Sequence, residues 1–251
     1  MRRVVITGAA GLIGGVLRRT LSERYDLKGV DKRRAIGLAR TDMLNLRAVE
    51  KAFRDADAVI DLAGLAQLDT PWELVLKNNI GATTNALLAA QAAGVRRFVF
   101  ASSNHVTGGY EREWPYSAIV AGEYDGLERA QIPMIDASMP VRPDSAYAVG
   151  KLFGEAAARY HAGSSGLTAI CLRLGAVNGE NRPLAPRHYA AWLSHADLAR
   201  LMTCAIDAPE TLEFGVYYGV SDNTWRFWDV AQARAEIGFE PKDDAERFRA
   251  E

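Results

Sequence analysis

Short β-branched runs alternate along this chain with longer stretches in which apolar residues recur every three or four positions. Val4-Val5-Ile6 reads as a strand, Leu12 to Tyr25 as a helix, and Leu27 to Val30 as a second strand. Asn45 stands where a cap is needed for a helix running through Phe53, and Ala58-Val59-Ile60 has the apolar continuity of a buried strand. Residues 73–93 are alanine-rich and helical in pattern, closed by Gly94 at a C-terminal cap position. Arg97 to Ala101 and Thr168 to Leu172 read as further strands, as does Gly215 to Tyr218, with helices from Tyr147 to about Tyr160 and from Asp197 to Asp207. Serial β-α-β units of this kind build an α/β fold of the Rossmann type, a doubly wound parallel sheet with helices on both faces.

Two regions break the alternation. Residues 106–144 carry prolines, glycines and aromatics (Tyr110, Trp114, Tyr116, Tyr124) without clear periodicity, and residues 176–194 are rich in Asn, Pro and Arg. Both follow carboxyl ends of strands, where open α/β sheets bind ligands, and loops of such length usually act as lids or binding loops.

Charge changes the picture by exclusion. With 30 basic and 31 acidic residues dispersed along 251 positions, nothing favours nucleic acid or an anionic membrane as partner. Cys171 and Cys204 lie in apolar stretches without CxxC spacing, so neither a metal site nor a disulfide framework is expected. With no apolar run of membrane-spanning length and no signal-like leader, a cytoplasmic protein is the expectation.

The chemistry concentrates in two motifs. Thr7 to Gly14 reads TGAAGLIG, a GxxGxxG turn between strand and helix. Gly8 permits the tight turn, Gly11 lets the backbone approach a pyrophosphate, and Gly14 allows close helix–strand packing. Leu12 and Ile13 open a helix whose free N–H groups favour phosphate. Asp31 closes the second strand, suited to the ribose hydroxyls of NAD, while the neighbouring Lys32 with Arg33 and Arg34 leaves NADP as the less favoured cofactor. Asp42 and Met43 are expected against the adenine, and Leu62-Ala63-Gly64 beneath the dinucleotide.

Tyr147 and Lys151 are four apart on a helix and so share a face. A tyrosine near pKa 10 is a poor base, and an adjacent ammonium with the positive nicotinamide ring lowers such a value by about 1–3 units. Ser103, at the end of the preceding strand within Ser102-Ser103-Asn104-His105, supplies a hydroxyl for the same substrate oxygen. A Ser, Tyr and Lys set behind a dinucleotide turn points to proton abstraction coupled to hydride transfer.

TGAAGLIG, the acidic end of the second strand, DLAG (61–64), the region of Asn78, SSN, YxxxK and RLG together resemble the extended short-chain dehydrogenases, along nearly the whole chain. Within that superfamily, SSNH (102–105), Arg187 five residues before Trp192, YYGVSDNTWRFWD (217–229) and GFEPKDDAERF (238–248) look like the uronate dehydrogenases. The resemblance implies NAD-dependent oxidation of C1 of a hexuronic acid to the lactone. Ser103 and Tyr147 would hold the C1 hydroxyl, Asn78 and Lys151 would touch the cofactor, and Asn104 and His105 would contact other hydroxyls. Arg187 would pair with the substrate carboxylate. It further implies one domain over 1–251, with 1–173 mainly cofactor-binding and catalytic and 174–251 mainly a small C-terminal substrate lobe containing a returning helix and strand. A homodimer or higher homo-oligomer is also implied.

The chain departs from that pattern at Ala176 and Ala66, where uronate dehydrogenases carry substrate-side serines, and in a longer loop after His105. An aldose or sugar-phosphate dehydrogenase is the first alternative. A nucleotide-sugar epimerase or dehydratase needs a larger lobe than the 78 residues beyond Arg173 provide. A non-catalytic NAD(H) sensor has no need of the Tyr147 base.

Overall fold

The computed structural model describes residues 1–249; residues 250 and 251, the end of the expected C-terminal lobe, lie outside the described residues. Seven parallel strands form one sheet in the order β3-β2-β1-β4-β5-β6-β7. They are β1 (Arg3–Ile6), β2 (Asp26–Asp31), β3 (Leu38–Arg40), β4 (Ala58–Asp61), β5 (Arg97–Ser103), β6 (Thr168–Leu174) and β7 (Phe214–Gly219). Strand order reverses between β1 and β4, so the turn after Ile6 and the segment after Asp61 diverge from one crevice, the switch point where such sheets bind ligands.

Period-two alternation sends each strand's residues into two cores. Val4, Ile6, Ile60, Val99, Ile170 and Leu172 face one side with α1 (Leu12–Thr20) and α8 (His195–Asp207). Val5, Val59, Phe98, Phe100 and Cys171 face the other, against α2 (Leu46–Phe53), α4 (Ala82–Ala92) and α6 (Ala146–Ser165). Both faces being covered is why these strands read as continuous apolar runs. The Asn45 side chain accepts from the Ala48 amide and caps α2, and Gly94 has φ +67° at the end of α4.

Four local expectations need correction. α1 stops at Thr20 rather than Tyr25, because residues 21–25 turn to bring the Asp26 amide to Arg2 and begin β2. Residues 73–93 are not one regular helix: α3 (Trp72–Val75) runs through a π-helical turn (Leu76–Gly81) into α4. The turn seats Asn79, whose amide accepts from Leu65 N at 3.0 Å and donates to Leu65 O at 2.9 Å. The irregular 106–144 region begins within a 3₁₀ segment (Asn104–Arg112) and holds α5 (Tyr116–Ala121), while 176–194 holds α7 (His188–Ala191). α9 (Ala231–Ile237) completes the helices among the described residues. None is long and apolar enough to cross a membrane.

Candidate active site

The carboxyl ends of the strands open into one cavity of about 920 Å³. Every residue singled out in the sequence lines it: the glycine turn with Leu12 and Ile13, Asp31, Lys32, Asp42, Met43, Leu62-Ala63-Gly64, Asn78, Ser103 to His105, Tyr147, Lys151, Ala176 and Arg187.

The turn is shaped for a close approach. Gly8 has φ +62°, and a Cβ there would lie 2.9 Å from the Leu62 carbonyl; one at Gly14 would lie 2.7 Å from Ala9 Cα. The buried Thr7 hydroxyl donates to Asp61 at 2.5 Å and accepts from the Leu62 and Ala63 amides, both at 3.0 Å, which pins the DLAG segment against the turn. Asp31 accepts from Ala10 N at 3.0 Å and from Arg33 Nε at 3.2 Å. Burial opposes ionisation of this carboxyl, but the Arg33 side chain and backbone and the Ala10 amide hold it below the usual carboxylate range. A glycine cradle ending at an ionised carboxylate fits a dinucleotide with a free 2′-hydroxyl.

Ser145 caps α6, its hydroxyl accepting from Ala148 N, so the helix begins where Tyr147 and Lys151 must face the sheet. The Tyr147 phenol shares the cavity with Ser103, whose hydroxyl accepts from His105 N at 3.2 Å. Lys151 donates to the Ala101 carbonyl at 2.7 Å and sits 5.0 Å from the Phe100 ring centroid. Burial brings its pKa down to about 8, opposed by the Asp61 charge. The protein's own groups leave the Tyr147 phenol above the ordinary tyrosine value. Burial pushes Tyr147 up, the Ser103 hydroxyl pulls it down, and the Asp144 charge pushes it up again. Desolvation dominates, and Lys151, itself buried and donating to the Ala101 carbonyl, is not among the groups that offset it.

Three residues around the site had no usable sequence signal. His105 Nδ1 lies 2.6 Å from Asp144 Oδ2, and that hydrogen bond holds Asp144 ionised against its burial. Gly108 makes this possible, since a Cβ there would meet Asp144 Oδ2 at 1.9 Å. Glu111 clasps Arg187 through both oxygens, at 2.6 Å to Nε and 2.7 Å to Nη2. The guanidinium read from sequence as open to a substrate carboxylate is therefore already paired, with a partner 76 positions away. Asn79 completes the set, since only the folded chain brings it to Leu65. The Asn104 amide nitrogen is buried without a hydrogen-bond partner. Ala176, which pairs through its backbone with Ala191 and Leu193, offers the cavity only a methyl group.

A dinucleotide cradle at the switch point of a seven-stranded parallel sheet, with Ser103, Tyr147 and Lys151 beside it, defines an NAD-dependent oxidoreductase. Residues 4–215 match the NAD dependent epimerase/dehydratase family, and the chain belongs to it. Among its relatives, uronate dehydrogenase of Pseudomonas syringae pv. tomato is 34% identical, aligned over 99% of this chain and 84% of that protein. Two Haloferax volcanii proteins are as similar in extent. NAD-dependent glucose-6-phosphate dehydrogenase is 30% identical over 99% of this chain and 96% of its own length. L-arabinose 1-dehydrogenase (NAD(P)(+)) is 32% identical over 98% of each. Of solved structures, a tyrosine-to-alanine variant of uronate dehydrogenase from Agrobacterium tumefaciens complexed with NAD superposes with TM-score 0.83 at 30% identity, covering all of this chain and 88% of that one.

Proposed function

We propose that this protein oxidises the C1 hydroxyl of a cyclic hexuronic acid, such as glucuronate or galacturonate, to the lactone. The observation that carries the reading is the convergence of Ser103, Tyr147 and Lys151 in one cavity with the glycine cradle and Arg187. Ser103 and Tyr147 bind the C1 hydroxyl, and Tyr147 takes its proton. Gly8, Gly11, Leu12, Ile13, Gly14, Asp31, Lys32, Asp42, Met43, Leu62, Ala63, Gly64, Asn78, Tyr147 and Lys151 hold the dinucleotide, which when bound accepts the hydride. Asn104 and His105 bind ring hydroxyls; the unpartnered Asn104 nitrogen is a donor in search of an acceptor. Residues 174–249 supply the other wall of the pocket through Ala176 and Arg187.

A neutral aldose is the second reading, favoured by the Glu111 carboxylate on Arg187 and by the methyl groups of Ala66 and Ala176, which replace hydroxyls. NADH production from glucuronate, galacturonate, glucose, galactose, arabinose and glucose 6-phosphate tests both. Turnover of the acids supports the first reading, turnover confined to neutral sugars the second, and none with any sugar overturns the reaction.

A further inference from the structure

Arg187, which lines the cavity, already holds a carboxylate of the chain. Glu111 engages the Nε–Nη2 edge of Arg187, and the pair is largely buried, with side chains 13% and 23% exposed. The arrangement is built by the backbone. Gly109 N donates to Arg142 O at 2.7 Å and Arg142 N to Val106 O at 2.9 Å, clamping the 104–112 segment onto the chain leading to Asp144. Arg187 is fixed from the other side, with its guanidinium 5.6 Å from the Trp228 ring centroid.

The charges do not favour an incoming anion. Arg187 brings one positive charge, while Glu111 and Asp144 bring two negative ones, and Asp144 is close enough to feel the arginine. His105 is held by Asp144, and His188, beside Arg187, is kept neutral by burial and by that same positive charge. A neutral sugar enters with the pair intact, whereas an acid must displace Glu111 or settle for the remaining Nη1 edge. Burial makes the competition costly to ignore, since a displaced carboxylate needs a new partner.

We infer that Glu111 is a specificity-determining residue, an internal carboxylate that competes with the substrate's for the Arg187 fork and so limits how strongly the pocket selects acids over neutral sugars. The inference rests on the C1-oxidation reading above. It makes Glu111 act through Arg187 as a positioning residue.

The test compares wild type with Glu111→Gln, which keeps the shape and one acceptor, and Glu111→Asp, which keeps the charge. The readout is kcat/KM for glucuronate and galacturonate relative to glucose and galactose. Glu111→Gln is expected to raise the acid-to-neutral ratio about tenfold or more, roughly the effect of relieving one competing charged contact. The gain should appear in KM for the acids rather than in kcat, and Glu111→Asp should return the ratio toward wild type. An unchanged ratio, or a fall showing that Glu111 aligns Arg187 for the acid, overturns the inference while the reaction stands. Should no sugar be oxidised, the reaction fails, and calorimetric titration of glucuronate and glucose into the NADH complex reads Glu111 by itself. Tighter glucuronate binding by Glu111→Gln then supports the competition, and equal or absent binding in both proteins overturns it.

Discussion

At the scale of single residues, Tyr147 is held as a phenol by its own burial, because desolvation outweighs the help from Ser103. Only the deprotonated form can accept a proton, so a raised pKa means the oxidation rate climbs with pH through the neutral range. Tyr147→Phe is expected to lower kcat about 10²–10⁴-fold and to abolish that climb. NADH affinity, followed by fluorescence titration, should change far less; wild-type turnover would remove Tyr147 from the reaction. Asp31 carries a second prediction. Its carboxylate both faces the cavity and restrains Arg33, so Asp31→Ala removes a repulsive charge and releases a guanidinium together. The kcat/KM ratio of NADP⁺ to NAD⁺ should rise about tenfold or more, the scale of one charge-assisted contact. The positions of both residues in the cavity were legible in sequence because each depends on a residue type at a fixed offset from a turn or helix start. The pairing of Asp31 with Arg33, two positions on, was visible only as a charged cluster.

Among the elements, α6 does most to join fold and site. A Cβ at Gly154 would lie 2.2 Å from Phe100 Cζ, and Phe100 is the ring beneath the Lys151 ammonium. Gly154→Ala is therefore expected to destabilise the protein by about 1–3 kcal/mol through overpacking. It should also depress turnover, because the displaced ring disturbs Lys151. The contrasting change is Asn45→Ala, which removes the α2 cap at a residue that does not itself line the cavity. It should cost about 1 kcal/mol and leave kcat alone. Urea unfolding and initial rates on both variants separate the two cases; equal effects on rate would show that α6 packing does not reach the site. The cap at Asn45 and the stop at Gly94 were readable because they are local chemistry. The π-helical turn at Leu76–Gly81 was not, since its cause is a pair of hydrogen bonds from Asn79 to a loop on another strand.

Across the whole molecule, one buried network ties the layers together behind the cavity. Glu155 of α6 accepts from Arg173 Nε and Nη2 of β6, both at 2.9 Å, and from Ser102 of β5 at 2.5 Å. Arg173 continues to the Tyr218 hydroxyl of β7 at 3.1 Å, which meets Thr107 at 2.8 Å. Removing one partner strands a buried charge, so Glu155→Leu is expected to lose about 3–5 kcal/mol. Replacing both, as in Glu155→Leu with Arg173→Met, should recover most of that loss. A double variant no more stable than the single one in urea would show that the network contributes more than its charges. Because Ser102 adjoins Ser103, the same network holds the end of β5 in register for the site.

What the sequence determined by itself was everything that depends on neighbours along the chain. The β-α-β alternation, the GxxGxxG turn and the Tyr147–Lys151 spacing follow from periodicity, backbone freedom and helix geometry, whose range is a few residues. Only the tertiary structure decided what those groups face. It put Glu111 on Arg187, Asp144 on His105, and Lys151 on a backbone carbonyl rather than on the tyrosine's oxygen. The physical reason is that pairing energies in a buried pocket depend on distance and desolvation, and neither is written in sequence separation. The charge balance at the substrate end, and with it the choice between an acid and a neutral sugar, lies with contacts made across 76 residues of chain.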